Sequence, residues 1–307
     1  MLRHLMGAML VFSLSGCASL AGLGKDGSLE YRQKLAAQRA RAEAVPEDEQ
    51  IELPTTMEGW LESGAKAAAS GEDARALWHY IEAHRRNPEH PAPILRLGYF
   101  HLSEDPEKAA ALFFHALEIA PLDPVAHAGL GLARLSQARF QEARLSLERA
   151  VEIDPAFATA QDALGVVYAV QRGPNEGRGP AQRAKELNPR DARLVNNYGV
   201  SLLSNLEWSE AEGAFRTAIL FDPTEPSYYN NLGLALGRQR RYVEAQVAFE
   251  RFGVEQAVHN NMGYIHYLNG DLKQAIGHYE LALQAEGDDR LTILGNLRTA
   301  SERVAQR

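Results

Sequence analysis

Small and apolar residues recur along this chain at long, regular intervals. A glycine is followed twelve residues later by an alanine and sixteen later by an aromatic at Gly199, Ala211, Phe215, again at Gly233, Ala245, Phe249, and again at Gly263, Ala275, Tyr279. The frame extends upstream through Trp60, Gly64, Ala76, Tyr80, Ala83 and Pro88, and through Leu97, Gly98, Ala109, Phe113, Ala116 and Pro121 with one residue missing from the turn. A third upstream set is Gly131, Ala143, Leu147, Ala150 and Pro155. A period of about 34 residues predicts an all-α solenoid of helix-turn-helix units, because one helical hairpin cannot bury its faces and a stack can. Glycine on the first helix and alanine on the second let the backbones approach, while the aromatic fills the space beside them. Closing prolines such as Pro223 end one unit and start the next, since proline fits only the first turn of a helix. About seven units are expected over residues 57–289, followed by a capping helix over 290–307.

Three units depart from the frame. In the fourth, Gly165, Ala184 and Pro189 are in register, but Arg172-Gly173-Pro174-Asn175-Glu176-Gly177-Arg178-Gly179-Pro180 is dense in helix breakers. The second helix of that unit is therefore expected to start late, near Pro180. The sixth unit, Gly233 to Gly263, is 30 residues long, a deficit of about one helical turn. Its second helix, Val243 to Phe252, is expected to end on Gly253 as a C-cap. The seventh has Gly287 where proline is expected, and Asp288 or Asp289 should cap the last helix, Arg290 to Val304.

Polar residues add a second pattern. Asn196-Asn197-Tyr198-Gly199, Asn230-Asn231-Leu232-Gly233 and Asn260-Asn261-Met262-Gly263 place paired asparagines before three successive signature glycines. Asn197, Asn231 and Asn261 should form a row about one repeat apart on the first helices, where a carboxamide can donate to and accept from an extended peptide backbone. The alternative for these three is that each bonds the neighbouring helix and fixes stacking. Asn196, Asn230 and Asn260, one residue earlier, are assigned to the groove, or its rim, that the family resemblance given below implies. Arg193 precedes the first pair, and Tyr264 and Tyr267 follow the third; aromatic area with a few polar groups suits a binding hot spot. The upstream counterparts of the row are Glu62, Arg96, Gly129 and Ala163, so the asparagines are confined to the last three complete units.

No catalytic constellation accompanies these patterns, and no enzyme, cofactor or metal is expected. There is no Gly-rich loop between strand and helix, no paired His-Glu motif and no second cysteine. His79, His84 and His90 are spaced five and six apart, which does not put them on one helical face, so they are assigned to surface or packing. An enzyme site in the Gly173 to Pro180 loop is the least favoured reading.

The first residues bear on location. Arg3 and His4 precede an apolar run from Leu5 to Leu14 that ends Leu14-Ser15-Gly16-Cys17. The run is too short to span a bilayer and reads as the core of a secretory signal over residues 1–16. Cys17 is the single cysteine. Residues 17–27 are small and Gly-rich, suiting a tether; residues 28–56 suggest a mobile helix, from Leu29 to Ala44, and an acidic linker bounded by Pro46 and Pro54. The formal charge of −8 becomes −9 once residues 1–16, with Arg3, are removed. An acidic chain without a basic cluster argues against nucleic acid as a ligand.

The repeat resembles the tetratricopeptide family, whose pattern is a Trp/Leu-Gly pair, an Ala, an aromatic, an Ala and a closing Pro. The resemblance implies a right-handed superhelical solenoid in which the first helices line a concave, peptide-binding groove. Asparagines at this place resemble those of peptide-binding members, whereas chaperone-type clamps for a peptide carboxylate use lysines that this row lacks. Leu14-Ser15-Gly16-Cys17 resembles a bacterial lipobox, which implies lipidation of Cys17, and Ala18 after it implies an outer-membrane anchor facing the periplasm. The combination is similar to lipoproteins of pilus and secretion machines. Asn196-Asn197-Tyr198-Gly199 after Asn188-Pro189-Arg190-Asp191-Ala192 resembles the type IV pilus secretin pilotin. The short unit ending Phe249-Glu250-Arg251-Phe252-Gly253, followed by His259-Asn260-Asn261-Met262-Gly263-Tyr264, resembles the Tad/Flp pilus assembly lipoprotein, and that type is favoured. The resemblance thus implies a non-catalytic scaffold whose partner is a pilus or secretion subunit, a secretin among the options. The alternative is an adaptor or regulator of periplasmic peptidoglycan enzymes.

Overall fold

The computed structural model describes residues 53–306. Cys17 and the signal, tether and N-terminal helix expectations lie outside that range. Among the described residues there are fifteen helices and no strand. They fall into two compact units that meet in sequence between Val167 and Tyr168.

The first unit contains α1 (Met57–Ala69), α2 (Asp73–Arg86), α3 (Pro91–His101), α4 (Pro106–Ile119), α5 (Pro124–Ser136) and α6 (Phe140–Ile153). Helix α7 (Ala158–Arg172) crosses the boundary. The second unit continues with α8 (Pro174–Leu187), α9 (Ala192–Ser204), α10 (Trp208–Phe221), α11 (Pro226–Arg238), α12 (Tyr242–Glu250), α13 (Glu255–Leu268), α14 (Leu272–Gln284) and α15 (Arg290–Ala305). Within each unit successive helices pair as hairpins, and each hairpin packs on the next.

First helices are capped from the loop before them. Thr56 Oγ1 accepts from the Gly59 N–H, Asp123 Oδ1 from Val125 and Ala126, Asp191 Oδ1 from Arg193 and Leu194, and Glu225 Oε1 from Ser227. Each supplies an acceptor to amides that have no partner inside the helix. Proline occupies the first position of α3, α4, α5, α8 and α11.

Five of the turns inside the hairpins are nearly identical. Gly71, Ala138, Leu206, Arg240 and Gly270 all have positive φ. The residue after each donates its N–H to a carbonyl five residues back: Glu72 to Ala67, Arg139 to Arg134, Glu207 to Leu202, Arg241 to Leu236 and Asp271 to His266. This is the Schellman closure, which reverses the chain in a left-handed residue. The hairpin α3–α4, one residue shorter, has no such residue; Asp105 instead donates to His101 O at 2.8 Å.

The signature positions pack as their sizes require. A Cβ placed on Gly64 would lie 2.5 Å from the Tyr80 ring, on Gly199 2.6 Å from Phe215, on Gly233 2.5 Å from Phe249 and on Gly263 2.7 Å from Tyr279. Alanines 76, 109, 143, 211, 245 and 275 have no exposed surface at all.

Two local expectations fail. Helix α8 begins at Pro174, not near Pro180, and carries Pro180 in its interior. Gly173 (φ 109°) makes the turn and Pro174 takes the first position. Gly179, with no Cβ, relieves part of the clash that a residue before proline suffers in a helix. Gly177, Ala181 and Ala184 are buried, so tertiary packing outweighs the poor propensity of the segment. In the sixth hairpin α12 is indeed short, nine residues, but Gly253 is not a left-handed cap. Its N–H donates to Phe249 O, and a Cβ there would stand 2.6 Å from that same oxygen. Glycine is required by the close backbone approach.

Candidate functional site

The paired asparagines all sit on α9, α11 and α13, and the structure separates them into engaged and unengaged groups. Asn231 is 4% exposed and donates from Nδ2 to Asn196 Oδ1 at 2.9 Å. Asn196, also buried, donates to Asn197 Oδ1 at 3.3 Å. Asn260 accepts from Asn296 Nδ2 of α15 at 3.0 Å. Asn231 thus follows the stacking alternative. Asn196, expected at the groove or rim, is instead buried between α9 and α11, and Asn260 ties α13 to the terminal helix. The cause is energetic: a buried carboxamide without a partner costs about 1–3 kcal/mol, so facing amides in adjacent repeats pair with each other.

Asn230 and Asn261 remain. Both are half-buried and make no side-chain hydrogen bond among the described residues. They occupy, one repeat later, the places of the bonded pair Asn196 and Asn231. The shortened α12 lies between α11 and α13 in the chain, and there the amide pair is not made.

The other candidate residues surround this position unevenly. Arg193 is exposed, with its guanidinium 3.6 Å from Asp191. Tyr264 is half-buried against the core of α9 to α13, and its hydroxyl pKa is raised by burial. Tyr267 packs against the separate core of α14 and α15, with the Arg303 guanidinium 5.1 Å from its ring centre.

Stacking has a second device that the repeat frame did not reveal. The C-cap carboxamide of a first helix reaches back one repeat to a backbone carbonyl: Gln137 to Pro106 at 2.9 Å, Asn205 to Pro174 at 3.2 Å, Gln239 to Trp208 at 3.3 Å and Asn269 to Gly237 at 2.8 Å. A visible signal was present in the Gln or Asn just ahead of Ala138, Leu206, Arg240 and Gly270. Proline cannot donate but its carbonyl still accepts, which is why Pro106 and Pro174 can serve both as helix starters and as anchors.

A cleft of about 390 Å³ also lies in the second unit, lined by Lys185 of α8, Val195, Tyr198 and Leu202 of α9, and Glu210 and Gly213 of α10. Lys185 Nζ stands 4.6 Å from the Tyr198 ring centre. Ala181 occupies the register position where most of the other hairpins have an aromatic.

His79, His84 and His90 are each taken up in local contacts. His79 is buried against Trp60 and Trp78, and burial lowers its pKa. His84 meets His115 edge-on, and His90 Nδ1 accepts from the Ala92 N–H. A closer cluster is His259, His266 and His278, with His259 Nδ1 and His278 Nδ1 3.3 Å apart and His266 stacked on His278. Burial and the two neighbouring imidazoles push the pKa of His278 down to about 4. Among the described residues no group of three ligating side chains is placed to hold a metal ion, and no helix is long and apolar enough to cross a membrane.

Comparison with known proteins bears on the fold. Residues 125–157 match the family described as Tetratricopeptide repeat. No curated protein matches the chain. The structure is similar to a tetratricopeptide repeat protein from Parabacteroides merdae ATCC 43184, at 14% identity and a TM-score of 0.55, covering 81% of this chain and 100% of that one. In fold, the described residues form an all-α solenoid like those of tetratricopeptide-repeat proteins. The array is also similar to the APC/C hetero-tetramer Cut9-Hcn1, at 18% identity and a TM-score of 0.63, covering 88% of this chain and 52% of that one; it spans about half the length of that relative. Pseudomonas aeruginosa pilF is similar at 21% identity with a TM-score of 0.55, covering 71% of this chain and 97% of that one.

Proposed function

We propose that this tetratricopeptide array is a non-catalytic scaffold, anchored through lipidated Cys17 to the outer membrane and facing the periplasm. There it binds a protein subunit while a pilus or secretion machine assembles, and the Tad/Flp type is the preferred system. The observation that carries the reading is the Leu14-Ser15-Gly16-Cys17 lipobox ahead of an interaction array. Asn230, Asn261 and Tyr264 support it from the other end, since two carboxamides left unpaired beside an aromatic suit the backbone of an extended segment. Acylation at Cys17 would hold the protein on the membrane without a spanning helix.

Cys17→Ser tests the anchor. The variant should lose palmitate labelling and leave the outer-membrane fraction, whereas retained labelling excludes lipidation at Cys17. Affinity capture from envelope extracts followed by mass spectrometry tests the partner class. Secretin or pilus subunits support the proposal, and peptidoglycan synthases or hydrolases would replace it with the adaptor reading.

A further inference from the structure

We propose that Arg238, the last residue of α11, is an anchor for a carboxylate carried by the bound partner segment. The proposal rests on the scaffold reading and adds the chemistry that the partner must present. Arg238 Nη1 donates to Asn269 Oδ1 at 2.7 Å, and its guanidinium lies over the Trp208 ring, 4.7 Å from the centre. Asn269 is itself held by Gly237 O at 2.8 Å and by the Tyr242 hydroxyl at 3.0 Å. The planar cation is therefore fixed in orientation from two sides, with further N–H groups available.

What it lacks is an anion. Among the described residues no carboxylate lies within 4.0 Å of Arg238, although burial lowers its pKa and so penalises its charge. Other arginines with restricted exposure are compensated. Arg144 is 2.8 Å from Glu148, Arg134 lies 3.7 Å from Glu107 and 3.5 Å from Glu142, and Arg241 is 2.6 Å from both Glu212 and Glu244. The acid two residues beyond Asn269 is already engaged: Asp271 takes the Tyr242 hydroxyl at 2.6 Å and pairs with Arg240 at 3.1 Å. A partly desolvated guanidinium held by aromatic and carboxamide groups is arranged to receive a carboxylate from outside the chain, as a two-bond fork.

Its position fits the unengaged carboxamides. Asn230, Leu234 and Arg238 are four residues apart and share one face of α11. Eight residues of helix separate Asn230 from Arg238 by about 12 Å, a distance that an extended peptide covers in about four residues. The recognised segment thus places its backbone at Asn230 and an Asp side chain, a Glu side chain or its own C-terminal carboxylate about four residues away.

The test uses two fluorescein-labelled hexapeptide amides, Ala-Tyr-Glu-Glu-Tyr-Ala and its Gln-Gln counterpart, titrated into the full chain and followed by anisotropy. The unmutated protein should prefer the acidic peptide by about tenfold, which corresponds to about 1.4 kcal/mol, and the preference should fall as salt is raised. Arg238→Gln should erase the preference with little change in melting temperature, because a desolvated charge without an anion adds little stability. Arg238→Lys should keep part of it. Equal binding of both peptides to the unmutated protein, or a preference that survives in Arg238→Gln, overturns the anchor alone and leaves the scaffold standing. Binding of neither peptide overturns the anchor and counts against the peptide groove as well. Should Arg238→Gln fail to fold, the salt dependence of the preference in the unmutated chain and in Arg238→Lys decides the question.

Discussion

The two units are made from the same hairpin but use their polar residues differently. In the first, the positions ahead of the signature glycines hold Leu95-Arg96 and Ala128-Gly129; in the second they hold three asparagine pairs. Both units close their turns through left-handed residues and seat an aromatic or leucine on glycine. Only the second adds the Asn196–Asn231 bond, the Arg238–Asn269–Tyr242 chain and the imidazole cluster of His259, His266 and His278. The contrast teaches that the fold needs small residues and a plug, and that the amides are an addition to it.

The strongest way to break this comparison is to attack the shared part. Gly131→Val in the first unit and Gly199→Val in the second each force a side chain to within 2.6 Å of Leu147 or Phe215. Each should cost about 3 kcal/mol or more and lower the melting temperature by about 10 °C. A loss confined to one unit, seen by thermal unfolding monitored by circular dichroism, would show that the units are not packed alike.

Asn196→Ala probes what is particular to the second unit. It leaves the Asn231 amide buried without its acceptor, and urea unfolding should register a loss of about 1–3 kcal/mol. Replacing both asparagines by leucine should cost less than the single change, since no polar group is then left unpaired. If the single and double variants are equally stable, the bond does not fix stacking.

A smaller effect is expected from acid. His278 is neutral in the folded chain, with its pKa held down at about 4 by burial and by His266 and His259, while the unfolded chain titrates near the ordinary value of about 6.5. Between these values the unfolded state binds more protons, so the stability contributed by the neutral imidazole is full above about pH 6.5 and is lost as pH falls towards 4. Partial exposure of His278 reduces the effect to about 1 kcal/mol. The unmutated protein should therefore lose a few degrees of melting temperature over that range relative to His278→Gln. Parallel melting curves for the two proteins would refute the titration.

The smallest change is favourable. Leu206, 64% exposed with φ 65°, and Ala138, with φ 56°, hold a left-handed conformation that costs about 1 kcal/mol without glycine. Leu206→Gly and Ala138→Gly should each gain about 0.5–1 kcal/mol in chemical unfolding, one in each unit. No gain in either would mean that those side chains contribute packing that offsets the strain.

Much of this architecture was legible in the chain. The glycine, alanine and aromatic frame marked where helices cross, because backbone approach permits few residue types there. The start of α8 was not legible, since propensity at Gly177 and Pro180 argues one way and burial of Gly177 and Ala181 argues the other. The asparagines were found, but their partners were not: Asn196 and Asn231 lie 35 residues apart and meet only after two hairpins stack. Arg238 escaped notice because nothing local distinguishes it from a solvated arginine; its lack of an anion appears only once Asp271 is seen to be taken by Arg240 and Tyr242.

The central claim is that the second unit, through the unengaged amides of α11 and α13, makes the partner contact. A photoreactive amino acid placed at Asn261, and in a separate protein at the upstream counterpart Arg96, tests it in intact cells. Cross-linked partner should form from position 261, not from position 96, and should diminish when Asn230→Ala is added. Equal adducts from both positions, or adducts from position 96 alone, would contradict the account.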